Sequence, residues 1–411
     1  MDALTRRKFL LASGVTGAAA LVGGGAALGL HQLLAKAPVG GPTGSNPIVV
    51  LVTLYGGNDG LNTVIPYADE AYHKARPELA YAPESVLKLG EGLGLNPKMT
   101  GLKKLWDAKR LAIVRGVQYP KPDRSHFRSM DIWQSASPTG PVNTGWIGRW
   151  LDGTSAPSET AVSFEAVLPP VLVGRTRVGI CVSYRGLTVP EWIGPATVSA
   201  LGRPQTGEAP MQARAAAAFA ELIAMEEAVR HAGQVTESTA DATVTGTGGD
   251  SELAAQLALV ARCIQAGVPT KVYSVSLGGF DTHADEKFSQ ELLLSKLDRA
   301  LTTFADRMSQ IEAGQRVTVV VYSEFGRRVR ANGSDGTDHG TAGPMFVLGP
   351  AVAGGFYGEQ PSLTDLDDGD LKATTDFRDV FGTVLSSVLA ADPARYLGGY
   401  RAKILPLLPP T

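Results

Sequence analysis

The sequence predicts a doubly wound α/β fold with a mostly parallel central sheet, and three observations carry that expectation. Four short runs are continuously apolar and rich in β-branched residues, as strands buried on both faces are. Three of them follow a stretch with helical periodicity, and all four run into a polar loop, which is the alternation of βαβ units. The middle of the chain breaks this rhythm and reads as an insertion or cap at about 140–249.

The first strand is Ile48–Leu54, closed by the tight loop Tyr55-Gly56-Gly57-Asn58-Asp59-Gly60. The amphipathic stretch Met99–Lys109 precedes the second, Leu111–Val117. A helical pattern over Glu252–Gly267 precedes the third, Lys271–Leu277, and another over Gln290–Glu312 precedes the fourth, Arg316–Tyr322. The middle segment holds short alternating runs, a Gly/Pro-rich stretch around Pro190–Pro210, a helix over Met211–Ala232 and a Thr/Gly/Asp-rich loop at Thr236–Gly249.

Before the first strand, Arg6-Arg7 stands directly ahead of an Ala/Gly/Leu/Val stretch that reaches Leu34, the order of a twin-arginine export signal. Its many Gly and Ala residues make it weakly apolar for a permanent membrane anchor, the alternative reading. Residues 1–37 are therefore expected to be the signal and residues 38–47 a linker, with residues 48–408 folding as the exported domain. The protein is placed in the periplasm or outside the cell, and the twin-arginine translocase is its partner in transit. Pro38 after Ala35-Lys36-Ala37 is awkward for cleavage, so retention of the signal stays open.

Removing residues 1–37 takes away four basic residues and one acidic residue, moving the formal charge from −2 to −5. That balance excludes a nucleic-acid-binding surface. Cys181 and Cys263 are read as unpaired small apolar residues.

Ligands of open α/β sheets gather at the carboxyl ends of the strands. The loops there carry Asn58-Asp59, Asp123-Arg124-Ser125-His126, Asp281-Thr282-His283, Ser323-Glu324-Phe325-Gly326-Arg327-Arg328 and Asp338-His339. Histidines and carboxylates from separate loops suit a divalent metal ion, whether zinc, manganese, magnesium or calcium. Each pair taken alone reads equally as a hydrogen-bonded loop cap. Ser125, ahead of the helix Phe127–Gln134, is the candidate nucleophile or simply that helix's N-cap. Arg124, Arg327 and Arg328 are candidates to clamp an anion.

These loops resemble the bacterial family known as domain of unknown function 1501, through Leu54–Asn62, Ser125–Gln134, Gly278–His283, Ser323–Arg327 and Asp338–Pro344, over about Pro47–Leu408. That family in turn resembles the alkaline phosphatase and sulfatase superfamily, which includes cofactor-independent phosphoglycerate mutases. The resemblance implies a three-layer α/β/α sandwich and a metal-dependent hydrolase of phosphate or sulfate esters. Ser125 would be the nucleophile, Arg124 or Arg327 the anion holder, and Asp59, Asp281, His283, Glu324, Asp338 and His339 the metal-ligand candidates. An anionic ester or a carbohydrate is the implied ligand. The sequence departs from the superfamily where Asp281-x-His283 is shortened, where Glu324-Phe325 replaces Asp-His, and where Gly56-Gly57 replaces a ligand Asp. These losses fit a one-metal enzyme, or an exported binding or scaffold protein on the same fold.

Overall fold

A computed structural model describes residues 47–182 and 253–409, together with Leu33, which is fully buried in the core. The expected signal apart from Leu33, the linker apart from residue 47, and the larger part of the expected insertion lie outside the described residues. Among the described residues no helix is long and apolar enough to cross a membrane.

In chain order, strand β1 (Ile48–Leu54) leads through helix α1 (Gly60–Thr63) to β2 (Val64–Ile65) and α2 (Glu70–Ala75). Strands β3 (Leu87–Gly90) and β4 (Leu93–Leu95) join β2 in a small antiparallel sheet. Next come α3 (Thr100–Asp107), β5 (Leu111–Gln118), α4 (His126–Ser135), α5 (Trp146–Thr154), β6 (Ala161–Ser163) and β7 (Ile180–Cys181). Beyond residue 252 follow α6 (Leu253–Ala266), β8 (Val272–Leu277), α7 (Glu286–Ser309), β9 (Val317–Ser323) and β10 (Gly343–Leu348). The chain closes with β11 (Gly355–Tyr357), the hairpin β12 (Leu366–Asp367) and β13 (Asp370–Leu371), β14 (Thr375–Asp376), α8 (Phe377–Ser387) and α9 (Pro393–Tyr396).

The main sheet has nine strands in the order β11-β5-β10-β9-β1-β8-β6-β7, with β14 added on β5. Only β10 runs against its neighbours; the other pairings are parallel. Strand alternation divides the core in two. Val50, Val52 and Leu54 of β1, with Val319 and Val321 of β9, face one layer with α3, α6 and α7. Val49, Leu51, Val320 and Tyr322 face the other, with α4, α5 and α8. Each such fully buried aliphatic side chain contributes roughly 1.5–3 kcal/mol. The result is the expected three-layer α/β/α sandwich.

One expectation changes here. Residues 161–163 and 180–181 extend the main sheet beyond β8, so the first part of the expected insertion is built into the sheet. The two strands hold only five residues between them, too few for a pattern.

Register explains where the polar loops gather. Leu54 at the end of β1 lies level with Leu277 of β8 and Ser323 of β9. Val117 of β5 lies level with Gly343, where β10 begins. Loops leaving β1, β5, β8 and β9, and the loop entering β10, therefore meet at one edge of the sheet.

Candidate metal centre

Tight backbone contacts knit these loops together. Tyr55 N–H donates to Leu277 O at 2.9 Å and Phe280 N–H to Tyr55 O at 3.1 Å. Gly56, at φ +116°, has no room for a side chain, since a Cβ there would lie 2.5 Å from Asp281 N. At Gly57, φ +74°, a Cβ would meet the Phe325 ring at 2.3 Å.

Glu324 is fully buried directly beneath this contact. Its Oε1 accepts from Gly56 N–H at 2.9 Å and lies 2.9 Å from His126 Nδ1, while its Oε2 accepts from Ser323 Oγ at 3.0 Å. A carboxylate with such donors around it only accepts, so His126 carries its hydrogen on Nδ1 and turns the Nε2 lone pair outward. His339 is fixed in the same way. Its Nδ1 lies 2.8 Å from the carbonyl oxygen of Arg124, which can only accept, leaving Nε2 as a lone pair.

The lone pairs converge on Asp281. Oδ1 of Asp281 lies 3.4 Å from His126 Nε2, 3.1 Å from His339 Nε2 and 3.1 Å from His283 Nε2. The last two imidazole nitrogens are 2.9 Å apart. His126 Nε2 is buried and has no hydrogen-bond partner. Acceptors facing acceptors at such distances repel unless a proton on one ring nitrogen or a metal ion lies among them. Ligands about 2.0–2.2 Å from a tetrahedral ion stand roughly 3.3–3.6 Å apart, close to the spacings found. His126, Asp281 and His339 form the compact group, and His283 joins from the solvent side with its side chain 45% exposed. Phe325 lies beneath, its ring centre 4.9 Å from those of both His126 and His339.

Charge at the site follows the same geometry. Burial lifts the Asp281 carboxyl, but the Arg327 guanidinium, His339 and His126 outweigh it and hold the group at about 2. Burial lowers His126, yet the hydrogen bond and charge of Glu324, with Asp281 beyond, raise it above its ordinary value. His339 is lowered, by burial first and then by the nearby Arg327 and His126 charges.

Several expected site residues stand elsewhere. Asp59 is fully buried, its Oδ2 on Arg76 Nη1 at 2.6 Å and its Oδ1 capping α1 at Leu61 N, so it faces away from the cluster. Glu324 orients His126 and does not enter the cluster itself. Asp338 stands behind His283, 3.7 Å from its Nδ1, and accepts from Asn332. Arg327 is 1% exposed, with Nε on Gly57 O, Nη1 on Thr337 O and Nη2 shared among Gly56 O, Phe280 O and Asp281 Oδ1. These bonds hold loops, and the buried guanidinium is closed off from solvent. Arg124 is tied to Asp370 through Nε at 2.9 Å and through Nη2. Ser125 is exposed and caps α4, its Oγ accepting from Arg128 N at a long 3.5 Å.

His126 is the residue that sequence reasoning passed over. It shares a loop with Ser125, and the helix start recognised there would have pointed its ring to the sheet edge.

The architecture and the cluster together define a mostly parallel α/β sandwich with His126, Asp281 and His339 gathered at the carboxyl edge of its sheet and His283 beside Asp281 and His339. Residues 106–407 match the family described as "Protein of unknown function (DUF1501)", and the chain belongs to that family. None of the curated proteins compared with it matches. Among solved structures it is similar to a protein in the alkaline phosphatase superfamily from Vibrio parahaemolyticus, at 10% identity and a TM-score of 0.37, over 89% of this chain and 76% of the other. It is also similar to the C-terminal periplasmic domain of EcEptC from Escherichia coli, at 11% identity and a TM-score of 0.36, over 88% and 90%. A putative sulfatase from Bacteroides thetaiotaomicron aligns at 10% identity and a TM-score of 0.32, over 88% and 77%. At such identity the likeness extends to the fold alone.

Proposed function

We propose that the protein is an exported, metal-dependent hydrolase of phosphate or sulfate esters that uses one divalent ion. The observation that carries this reading is the convergence of His126 Nε2, His339 Nε2 and His283 Nε2 on Asp281 Oδ1, with no hydrogen-bond donor at His126 Nε2. A donor set of three imidazole nitrogens and one carboxylate oxygen suits zinc or manganese better than magnesium or calcium, which prefer oxygen ligands. When bound, such an ion supplies Lewis-acid stabilisation of the charge that develops on ester oxygens.

The chain's own residues do the rest. Glu324 fixes the His126 tautomer, the Arg124 carbonyl fixes that of His339, and Arg327 holds the Asp281 carboxylate in place. Ser125 stands exposed between Arg124 and His126, at the N-terminus of α4, where the free N–H groups of the first turn favour an incoming oxyanion. Its hydroxyl is the nucleophile of this reading. Folding before export lets the ion be loaded in the cytoplasm, which suits a twin-arginine signal.

The test is metal analysis of protein purified from its own host, together with ester turnover by wild type, Ser125→Ala and His126→Ala. The reading expects bound metal in wild type and Ser125→Ala, loss of metal in His126→Ala and loss of turnover in both variants. Metal-free wild type with background turnover equal to the variants would leave the alternative, an exported binding protein for an anionic ester or a carbohydrate.

A further inference from the structure

We propose that the export signal stays on the exported protein as its membrane tether, because Leu33, inside that signal, is a permanent part of the folded domain's core. This goes beyond the hydrolase reading and rests on it only for the twin-arginine route. Leu33 is fully buried and belongs to the same apolar layer as Val50, Val52 and Leu54 of β1, the layer shared with α3, α6 and α7. It stands 15 residues ahead of Ile48, where β1 begins, and is the fifth residue before a cut made after Ala37. Cutting there would take Leu33 out of a close-packed layer and leave a cavity lined by apolar side chains. A processing enzyme must also draw the residues ahead of its cut into an extended conformation in its own cleft, and a residue seated in the core resists this. Pro38, directly after the cut, has a fixed φ and no N–H to offer that cleft.

The residues ahead of Leu33 have the make-up of a tether. Phe9–Gln32 holds 24 residues without one Asp, Glu, Lys or Arg, more than the ~20 needed to span a bilayer. Gly and Ala dilute the stretch, but eight Phe, Leu and Val side chains remain to favour the bilayer. Arg6-Arg7-Lys8 stands at the end that stays in the cytoplasm, where basic residues are favoured. With Leu33 in the core no spacer separates this stretch from the domain, which is therefore held against the outer face of the membrane it has crossed. The order of events permits this. A twin-arginine passenger folds before transport, so Leu33 takes its place before any enzyme beyond the membrane meets the chain.

The experiment uses the full-length protein, expressed in its own host with a C-terminal tag. Envelope fractions are washed at alkaline pH, and the protein recovered is measured by intact mass spectrometry and, in detergent, by thermal melt. Wild type is compared with Leu33→Ala, with Leu21→Ala as an equal loss of apolar volume inside the stretch, and with Arg6→Lys/Arg7→Lys as a block to export. The proposal expects the exported protein to stay with the washed membrane and to carry residues ahead of Pro38. Leu33→Ala should lower the melting temperature by about 4–10 °C, the range for a leucine truncated in the core of a chain this long, and Leu21→Ala should leave it unchanged. Exported protein whose mass begins at Pro38, or a Leu33→Ala melt equal to wild type, overturns the proposal. Wild type confined to the cytoplasm, or a double-lysine variant exported as well as wild type, sinks the twin-arginine reading instead, and the Leu33→Ala melt then decides alone whether the signal's end belongs to the fold.

Discussion

Asp59 was the first-loop metal candidate, and the structure instead seals it against Arg76 with both side chains fully buried. Arg76 also donates through Nε to Val329 O at 3.0 Å and through Nη2 to Arg328 O at 2.6 Å, so the pair ties the first loop to the segment that follows β9. Asp59→Ala strands the guanidinium without its counter-ion, a loss of about 3–5 kcal/mol for a broken buried pair. It also removes the N-cap of α1, about 1 kcal/mol more. At roughly 2 °C per kcal/mol for a chain longer than 150 residues, the melting temperature should fall by about 8–12 °C. Asp59→Asn keeps the capping oxygen and the volume but gives Arg76 a neutral partner, so a loss of about 2–3 kcal/mol is expected. The assay pairs thermal melts followed by circular dichroism with metal analysis of the folded fraction. Metal per folded molecule should match wild type in both variants and should drop in His339→Ala. Asp59→Asn protein that melts like wild type but loses metal as His339→Ala does would show that the ion pair has been given the wrong role.

Glu324→Gln keeps one oxygen for Gly56 N–H and His126 Nδ1–H, turns the amide NH2 toward Ser323 Oγ and removes the negative charge behind the imidazole, so metal affinity measured by chelator competition should fall about 10–100-fold; an unchanged affinity would contradict the orienting role. Glu286 on α7 is pushed well above the usual carboxylate range by burial first and by the charge of Asp59 next. Thr337 Oγ donates to its Oε2, and Oε1 has no hydrogen-bond partner. A raised folded value means stability that is complete below the unfolded value and declines as pH rises through the folded one. Glu286→Gln should therefore be more stable than wild type at pH 8 and lose that advantage near pH 4; chemical denaturation at the two pH values decides, and a constant difference would refute the assignment. Cys181 and Cys263 are unpaired, and burial lifts both thiols to about 12. Ellman's reagent at pH 8 should leave the native protein unmodified and react with both thiols in guanidinium, and prompt reaction of the native protein would count against their burial.

The parts of the fold legible in the sequence are those whose physics is local. A run such as Ile48–Leu54 is apolar on both faces because helices cover both sides of its sheet, and β9 is nearly so. Strand direction is not local, and the antiparallel run of β10 between β5 and β9 leaves no mark in its residues. The site was legible as a set of loops and not as a set of ligands. Asp59 and Asp281 read alike as loop aspartates, and what separates them is the partner each meets: Arg76, in a helix-flanking stretch with no strong pattern, or three histidines from three loops. Glu324 and His126 exchange roles for a similar reason. Which of two contacting groups faces the cluster depends on the Gly56 N–H holding the carboxylate inward, a contact between residues 268 apart in sequence.

The close seating of Gly56 on Asp281 and of Gly57 on Phe325 has an evolutionary reach. A lineage carrying this pair of glycines cannot place a carboxylate at either position by one codon change without moving its neighbours, because the new side chain would wedge apart the loops that bring Asp281 and Phe325 into position. Any descendant that placed an acidic residue at either position would need the loop rebuilt first.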